Sequence, residues 1–453
     1  MDIGEFQLNL IKKLKLYALE LKNQKISLAN NSYIYVATWG ENLGLAFLKY
    51  KVLKISNFVS FFKIFLKDIL FGVSIDKLKV INKFTTNSKK KLILSNATIN
   101  DFNVDGSYTD RYFKLRSNLY PDFIFIIIYS GNKIPDNINE NLILIKGTES
   151  TFLKKIIRLK LLFFKTFFFY KKKNLYKISG TTIYSEKIIN ILKKTVNINK
   201  FEKIFFPYEG LPFQQALTLE VKKINKDTEV LGYDHSAPHA NPVNLLYRDG
   251  SPDKIFVNGE SQKDYLIKNL DWPEKKVKVV PSLRYHVDSD EKFENKIYLP
   301  WQIINPKIVL QELKLIFQKS KTKNFKKFDV RIHPVCVDIK KQLKLKKDIE
   351  KLINVFKEKF GNPSSKTSIF IGSTTSVILA LEKDIDIIHI CFDPLFDSYS
   401  EKVWRNLKVN RKSNFTFEYI LKEKNSFIKF GHSENSFSEY YEKKHKKIFF
   451  LFS

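Results

Sequence analysis

The sequence predicts an α/β protein made of two Rossmann-like halves that face each other across a cleft. Three observations carry this expectation. Short runs recur that are apolar at successive positions, as strands covered on both faces must be. Helical segments alternate with them, the rhythm of a doubly wound parallel sheet. The rhythm then restarts after a polar stretch at 283–295, "LRYHVDSDEKFEN", which is the expected linker.

In the first half the strand-like runs are "SYIYVATWG" (32–40), "KLILSNA" (91–97), "DFIFIIIYSG" (122–131), "NLILIKG" (141–147), "KIFFPYEG" (203–210), "EVLGYDHS" (229–236) and "KIFVNGE" (254–260). Helical patterns lie at 8–24, 151–172, 185–195, 211–225 and 261–270. In the second half, strands are expected at 296–302, 328–334 and 385–393, helices at 306–319 and 345–359, and a strand, loop and helix at 368–384. The expected organisation is one unit over 1–290, a second over 291–435, and a basic, aromatic tail over 436–453.

With 453 residues, 44% of them hydrophobic, the chain can bury the cores of two or three domains, which excludes global disorder. A net charge of +31 calls for an anionic partner. Only eight arginines stand against 70 lysines, however, and Ile, Asn and Phe are abundant. That profile fits an AT-rich coding bias, so the arginines carry more information than the lysines. The basic residues are spread along the chain without a helix-turn-helix, zinc or RNP-like signature, and no specific nucleic-acid partner is expected. Cys336 and Cys391 lie in unrelated contexts, which fits a reducing compartment. The N-terminal pattern is a charged amphipathic helix, and no run approaches the roughly 20 apolar residues of a spanning helix. The expected location is the cytoplasm, peripheral on the inner face of the membrane.

Ligands of open α/β sheets bind beyond the carboxyl ends of the strands, so the residues that close each strand are the informative ones. "VRIHPV" offers Arg331, His333 and Pro334. Its guanidinium and imidazole suit a phosphate oxygen, or the run is a surface strand with a satisfied histidine. "FIGSTTSVILAL" sets Gly372, Ser373, Thr374, Thr375 and Ser376 between a strand and a helix expected from about Val377. Hydroxyls and backbone N–H groups at a helix start form an anion site, or simply an N-cap. Pro334 and Gly372 are 38 residues apart in one half, so the two motifs can converge on one phosphate.

Three further strand ends lie in the first half. "KIFFPYEG" presents Glu209, able to act as a general base or to stabilise the dipole of the following helix. No lysine lies between Ile204 and Val221, and an unpaired carboxylate is the better proton acceptor. "LGYDHSAPHANPVNLLY" holds Asp234, His235 and His239 in a loop made irregular by Pro238 and Pro242. Its imidazoles can transfer protons or bind an anionic sugar, or the run is a polar loop around a buried histidine. The ligand cluster that zinc would need is absent. "NVDGSYTDRYFKLRSN" places Asp110, Arg111 and Arg116 among aromatics. It is either an acceptor or anion contact or a loop closed by an Asp–Arg pair.

"LKKIIRLKLLFFKTFFFYKKK" (153–173) and the tail at 440–453 interleave basic and aromatic residues. The combination suits the boundary of an anionic bilayer. The first also reads as a core helix with snorkelling lysines.

Together these motifs resemble a known grouping. "RIHP" and "GSTTS" are similar to the His-Pro and Ser/Thr motifs of bacterial sialyltransferases, polysialyltransferases and Kdo transferases of the GT-B fold. The upstream series "PYEG", "GYDHS", "PDKIFVNGE" and "SLRY", with "DRYF" at 110–113, resembles bacterial surface-carbohydrate biosynthesis proteins. The resemblance spans roughly residues 95–390. It implies a metal-independent transferase that moves an ulosonic acid from a CMP-activated donor to a surface glycan or lipid-linked acceptor. No cofactor is implied beyond that donor. Phosphate contacts would fall on His333 and Ser373–Ser376, the active carboxylate on Glu209, and a cleft histidine on His235. Asp234 stands where a different polar residue is expected, which leaves inverting or retaining chemistry open. A UDP-sugar or CDP-glycerol donor is the alternative within the same architecture.

Overall fold

Eight strands form the larger of two sheets in the computed structural model of the chain, which describes residues 2–29, 31–81, 91–131, 133–168, 179–287, 293–322, 324–361 and 366–431. They are β1 (Ile75–Val80), β2 (Lys91–Ala97), β3 (Phe123–Tyr129), β4 (Leu142–Glu149), β5 (Lys203–Pro207), β6 (Glu229–Tyr233), β7 (Lys254–Val257) and β8 (Val277–Val279). Across the sheet the order is β1-β4-β3-β2-β5-β6-β7-β8, all parallel except β1, which runs antiparallel to β4. From β2 the chain winds outward through β3 and β4; from β5 it winds the other way through β6 to β8. A crevice therefore opens at the carboxyl ends of β2 and β5.

Continuous burial explains the apolar runs. On one face Leu92, Leu94, Ile124, Ile126, Ile204 and Phe206 join a core with Ile188 and Leu192 of helix Gly180–Thr195 and Leu217 and Val221 of helix Pro212–Ile224. The other face departs from the doubly wound expectation. Ile93, Phe125, Ile127 and Phe205 pack on Tyr108, Phe113 and Leu115 from the loop 98–122. That connection has only two short 3-10 turns, and its aromatic side chains stand in for the apolar face of a helix.

The second sheet contains β9 (Lys296–Tyr298), β10 (Asp329–Arg331), β11 (Thr367–Ile371), β12 (Asp386–Ile390), β13 (Leu407–Arg411) and β14 (Thr416–Leu421), in the order β10-β9-β11-β12-β14-β13. The first four are parallel, and β13 and β14 add an antiparallel hairpin to β12. Winding reverses between β9 and β11, which makes a second crevice. Both sheets are thus mixed. The hairpin escaped the sequence reading because its strands are only partly buried and lack continuous apolar runs.

The run 32–40, expected as a strand, is an irregular loop. Tyr33, Ile34 and Val36 are buried, which produced the strand-like pattern, yet Ile34 O accepts from the Arg248 guanidinium at 3.3 Å. The helix expected at 345–359 spans Lys340–Val355.

Both ends of the described chain cross between the halves. Helix Ile3–Asn23 lies against the second half, where Gln7 donates to Ser398 O (2.8 Å) and accepts from Ser400 Oγ (2.7 Å). Phe6 meets Phe396 edge-on at 5.4 Å. The chain near 429 returns to the first half: Lys429 N donates to Asn258 O, and Ser282 N donates to Lys429 O, both at 2.7 Å. Residues 288–292 of the expected linker and the tail at 436–453 lie outside the described residues.

Candidate functional site

The two crevices open into one cavity of about 840 Å³. Arg111, Tyr112 and Lys114 enter it from the loop after β2, His235 and His239 from the loop after β6, and Arg284 and Tyr285 from beyond β8. Opposite them stand Trp301 after β9, His333 after β10, and Ser373, Thr374, Thr375 and Ser376 after β11. A recess of about 100 Å³ adjoins the cavity, sharing Trp39 and His239 with it and lined by Glu209, Asp234, Ser236 and Asn244.

The backbone of Glu209 is held from several directions. Pro207 ends β5, and Gly210 turns the chain at φ +68. A Cβ at Gly210 would lie 2.1 Å from Asn244 O, so only glycine fits. Gln214 accepts from Glu209 N and Leu211 N, each at 3.0 Å, and donates to Pro207 O. Asn244 Nδ2 donates to Glu209 O at 2.8 Å, and the buried Arg248 donates to Gly210 O at 2.9 Å. These bonds fix where the carboxylate enters the recess. The Glu209 side chain keeps 40% of its surface accessible. Protein nevertheless walls the recess closely, and the lost hydration raises its pKa above the ordinary glutamate value, opposed by the Arg284 charge.

His235 Nε2 lies 3.7 Å from Glu209 Oε1, and its ring stands edge-on to Tyr112 with centroids 4.4 Å apart. Burial, then the Arg284 and Arg111 charges, push its pKa down to about 3, so the imidazole is neutral. Its Nδ1 is buried without a protein hydrogen-bond partner. So weakly basic a ring is suited to hydrogen bonding rather than to taking a proton. His239 stacks on Trp39 at 4.3 Å and is likewise pushed down to about 3 by burial.

Asp234 is buried, and Gln262 Nε2 donates to its Oδ2 at 3.3 Å. Burial raises its pKa to about 8 against a hydrogen bond from the Ser236 backbone, and the Glu209 charge adds to the rise. At neutral pH Asp234 therefore keeps its proton.

On the facing side the residues separate. His333 lines the cavity, and partial burial lowers its pKa. Arg331, expected beside it, does not line the cavity: it is largely exposed and pairs with Asp329 at 2.6 Å. Strand β10 alternates exposed, buried, exposed, so Arg331 follows Asp329 outward, and His333 reaches the cavity only after the strand ends. Pro334 also lies outside the lining; it opens the turn Pro334–Cys336, where Cys336 N donates to His333 O at 2.7 Å. Gly372 is a shape residue rather than a contact. Its φ is +67, and a Cβ would meet the Phe392 ring at 2.8 Å. Its carbonyl lies 2.7 Å from Nε2 of the buried His389. The helix that follows, Ser376–Glu382, has only seven residues, so the loop's hydroxyls outweigh any helix dipole as an anion contact.

The expected acceptor residues also divide. Asp110 is fully buried and accepts from Tyr112 N (2.9 Å), Phe113 N (2.6 Å) and Tyr108 Oη (2.6 Å). It shapes the loop and does not line the cavity, since it is fully buried with both oxygens engaged by local donors. Arg111 does line the cavity and pairs with Asp101 rather than with Asp110. Arg284, one of eight arginines and part of "SLRY", also lines the cavity, although it follows no strand-end motif that would mark it as a site residue. Trp39, Tyr112, Tyr285 and Trp301 carried no separate signal among 14% aromatics.

Among the described residues, no group of three or more His, Cys, Asp or Glu side chains is arranged to hold a metal ion. Searched against known protein families the chain matches no family model, and no curated protein matches it.

Proposed function

We propose that the chain is a glycosyltransferase of GT-B architecture that moves an ulosonic acid, Kdo-like or sialic-acid-like, from a CMP-activated donor to a glycan or lipid-linked acceptor. One observation carries the reading: His333 and the Ser373–Ser376 hydroxyls face His235, Arg111 and Arg284 across one cavity, with Glu209 in the recess beside it. The phosphate of the donor would take hydrogen bonds from His333 and the hydroxyls, which strengthen as charge develops on the leaving group. Arg111, Lys114 and Arg284 suit the donor's own carboxylate. The acceptor oxygen attacks the anomeric carbon, the bond from that carbon to the phosphate oxygen breaks, and CMP departs with the bonding electrons. Glu209 takes the acceptor's proton. Asp234, protonated at neutral pH, is unsuited to that step, and neutral His235 hydrogen-bonds the acceptor.

The test is CMP release from a panel of CMP-Kdo and CMP-sialic-type sugars, together with thermal shift by CMP, CDP and UDP. Stabilisation by CMP and transfer from one panel member are expected. Glu209→Gln should keep the CMP-induced shift and lose roughly 10²- to 10⁴-fold in transfer rate. Stabilisation by UDP alone would reassign the donor, and normal transfer by the variant would remove Glu209 from the mechanism.

A further inference from the structure

Away from the cavity, two helices that pack against each other expose apolar side chains among basic ones. Helix Phe58–Ser74 is apolar on two faces. Phe61, Phe65 and Ile69, four residues apart, are buried in the core. Phe58, Val59, Phe62 and Leu70 are exposed, Val59 by 74%. Helix Phe152–Phe168 repeats the arrangement: Leu159 packs on the core, while Phe152, Leu153, Ile157 and Leu161 are exposed, Phe152 by 78%. Leu153, Ile157 and Leu161 form a single stripe at helical spacing.

Basic residues predominate around these faces, although Lys49 and Lys67 pair with Asp393 and Glu41. From Leu43 to Ser74 there are five lysines and one acid, Asp68, whose carboxylate accepts from Gly180 N at 2.6 Å, and from Phe152 to Phe168 four lysines, one arginine and no acid. Lys51, Lys54, Lys63, Lys154 and Lys160 are exposed. A protein partner with a purely apolar patch would not account for so large an excess of basic residues. An anionic lipid surface accounts for both features at once, since acyl chains receive the apolar residues and headgroups pair with the lysines. No helix among the described residues is long and apolar enough to cross a membrane, so the face suits attachment rather than insertion.

We propose that helices Phe58–Ser74 and Phe152–Phe168 together form a docking face for an anionic bilayer. The face lies close to the chemistry. Ile64, on the first helix, lines a pocket of about 340 Å³ with Leu45, Ala46 and Ile304, and that pocket shares Trp39, Pro300 and Ser373 with the main cavity. Docking therefore brings the cavity towards the lipid surface where a lipid-linked acceptor would be presented. That last step rests on the transferase reading; the docking face does not.

The test is co-sedimentation of the full chain with vesicles of phosphatidylcholine alone or mixed with phosphatidylglycerol. Binding is expected to the anionic vesicles only, and to weaken as salt rises. The exposed-face variant Val59→Ser/Phe62→Ser/Leu153→Ser/Ile157→Ser, and separately Lys154→Glu/Lys160→Glu, should each weaken it roughly tenfold or more while leaving the melting temperature unchanged. Glu209→Gln should bind vesicles as the parent does, so that loss of transfer and loss of docking are read apart. Equal binding to neutral vesicles would overturn the proposal. So would undiminished binding by both face variants, or loss of binding only when residues 432–453 are removed. A dimer that the serine variant converts to monomer would assign the face to a second copy of the chain instead.

Discussion

His235 and Glu209 stand 3.7 Å apart, Nε2 to Oε1, on loops that leave the neighbouring parallel strands β6 and β5. The separation is too long for a direct hydrogen bond, and because His235 is neutral no ion pair joins them. It is short enough for one hydroxyl of a ligand to bond both side chains. Adjacent parallel strands make this pairing, since their carboxyl ends emerge side by side on the same edge of the sheet.

Acid-limb position follows from the Glu209 environment. Burial raises its pKa and Arg284 opposes the rise, and in the proposed mechanism Glu209 acts as base only when ionised. The transfer rate should therefore increase with pH along an acid limb that lies above the ordinary glutamate value of 4.5. Arg284→Gln removes the opposing charge and should move that limb to higher pH. The profile of kcat/KM against pH measures it, and an unmoved limb would contradict the assignment.

Asp234 links stability to pH. Its folded pKa, about 8, lies above the ordinary 3.8, so the unfolded chain releases this proton first. Stability from this group is complete below pH 3.8 and is lost as pH rises through 8. Asp234→Asn resembles the protonated acid. Its melting temperature should match the parent near pH 4 and exceed it increasingly towards pH 8. A constant difference across that range would show that Asp234 is ionised in the fold.

Arg331 and His333 should behave oppositely although they are two residues apart. Arg331 is turned to Asp329 and solvent, whereas His333 lines the cavity. Arg331→Ala should leave CMP affinity within about twofold, and His333→Ala should weaken it roughly ten- to hundredfold, the value of one or two hydrogen bonds to a charged group. Calorimetric titration with CMP distinguishes them, and equal losses would place Arg331 in the site.

Two glycines set the loop shapes, and their substitutions should rank. At Gly210 a Cβ would meet backbone, Asn244 O at 2.1 Å; at Gly372 it would meet the Phe392 ring at 2.8 Å, which can shift. Each also has positive φ, costing about 1–2 kcal/mol for an L side chain. Gly210→Ala should lower the melting temperature more than Gly372→Ala. The reverse order would mean that the Asn244 loop yields more readily than the Phe392 ring.

The sequence alone marked the parallel strands β2 to β7 and β9 to β12 and where they end, but not β1, β8 or the β13–β14 hairpin. Runs such as "FIFIIIY" are apolar at successive positions because both faces of β3 are covered, and that local pattern survives without knowledge of the partners. It also singled out Glu209, His235, His333 and Ser373–Ser376, because each follows a recognisable strand. Tertiary structure decided which of the flagged residues meet. Asp110 and Arg331 carry the same chemistry as their neighbours, but one is spent on backbone donors and the other is turned outward. It also decided that Arg284, 75 residues beyond Glu209 in the chain, is the cation acting on that carboxylate. The reason is physical: burial and charge are sums over neighbours in space, and the order of strands that makes those neighbours leaves no mark in any short stretch of chain.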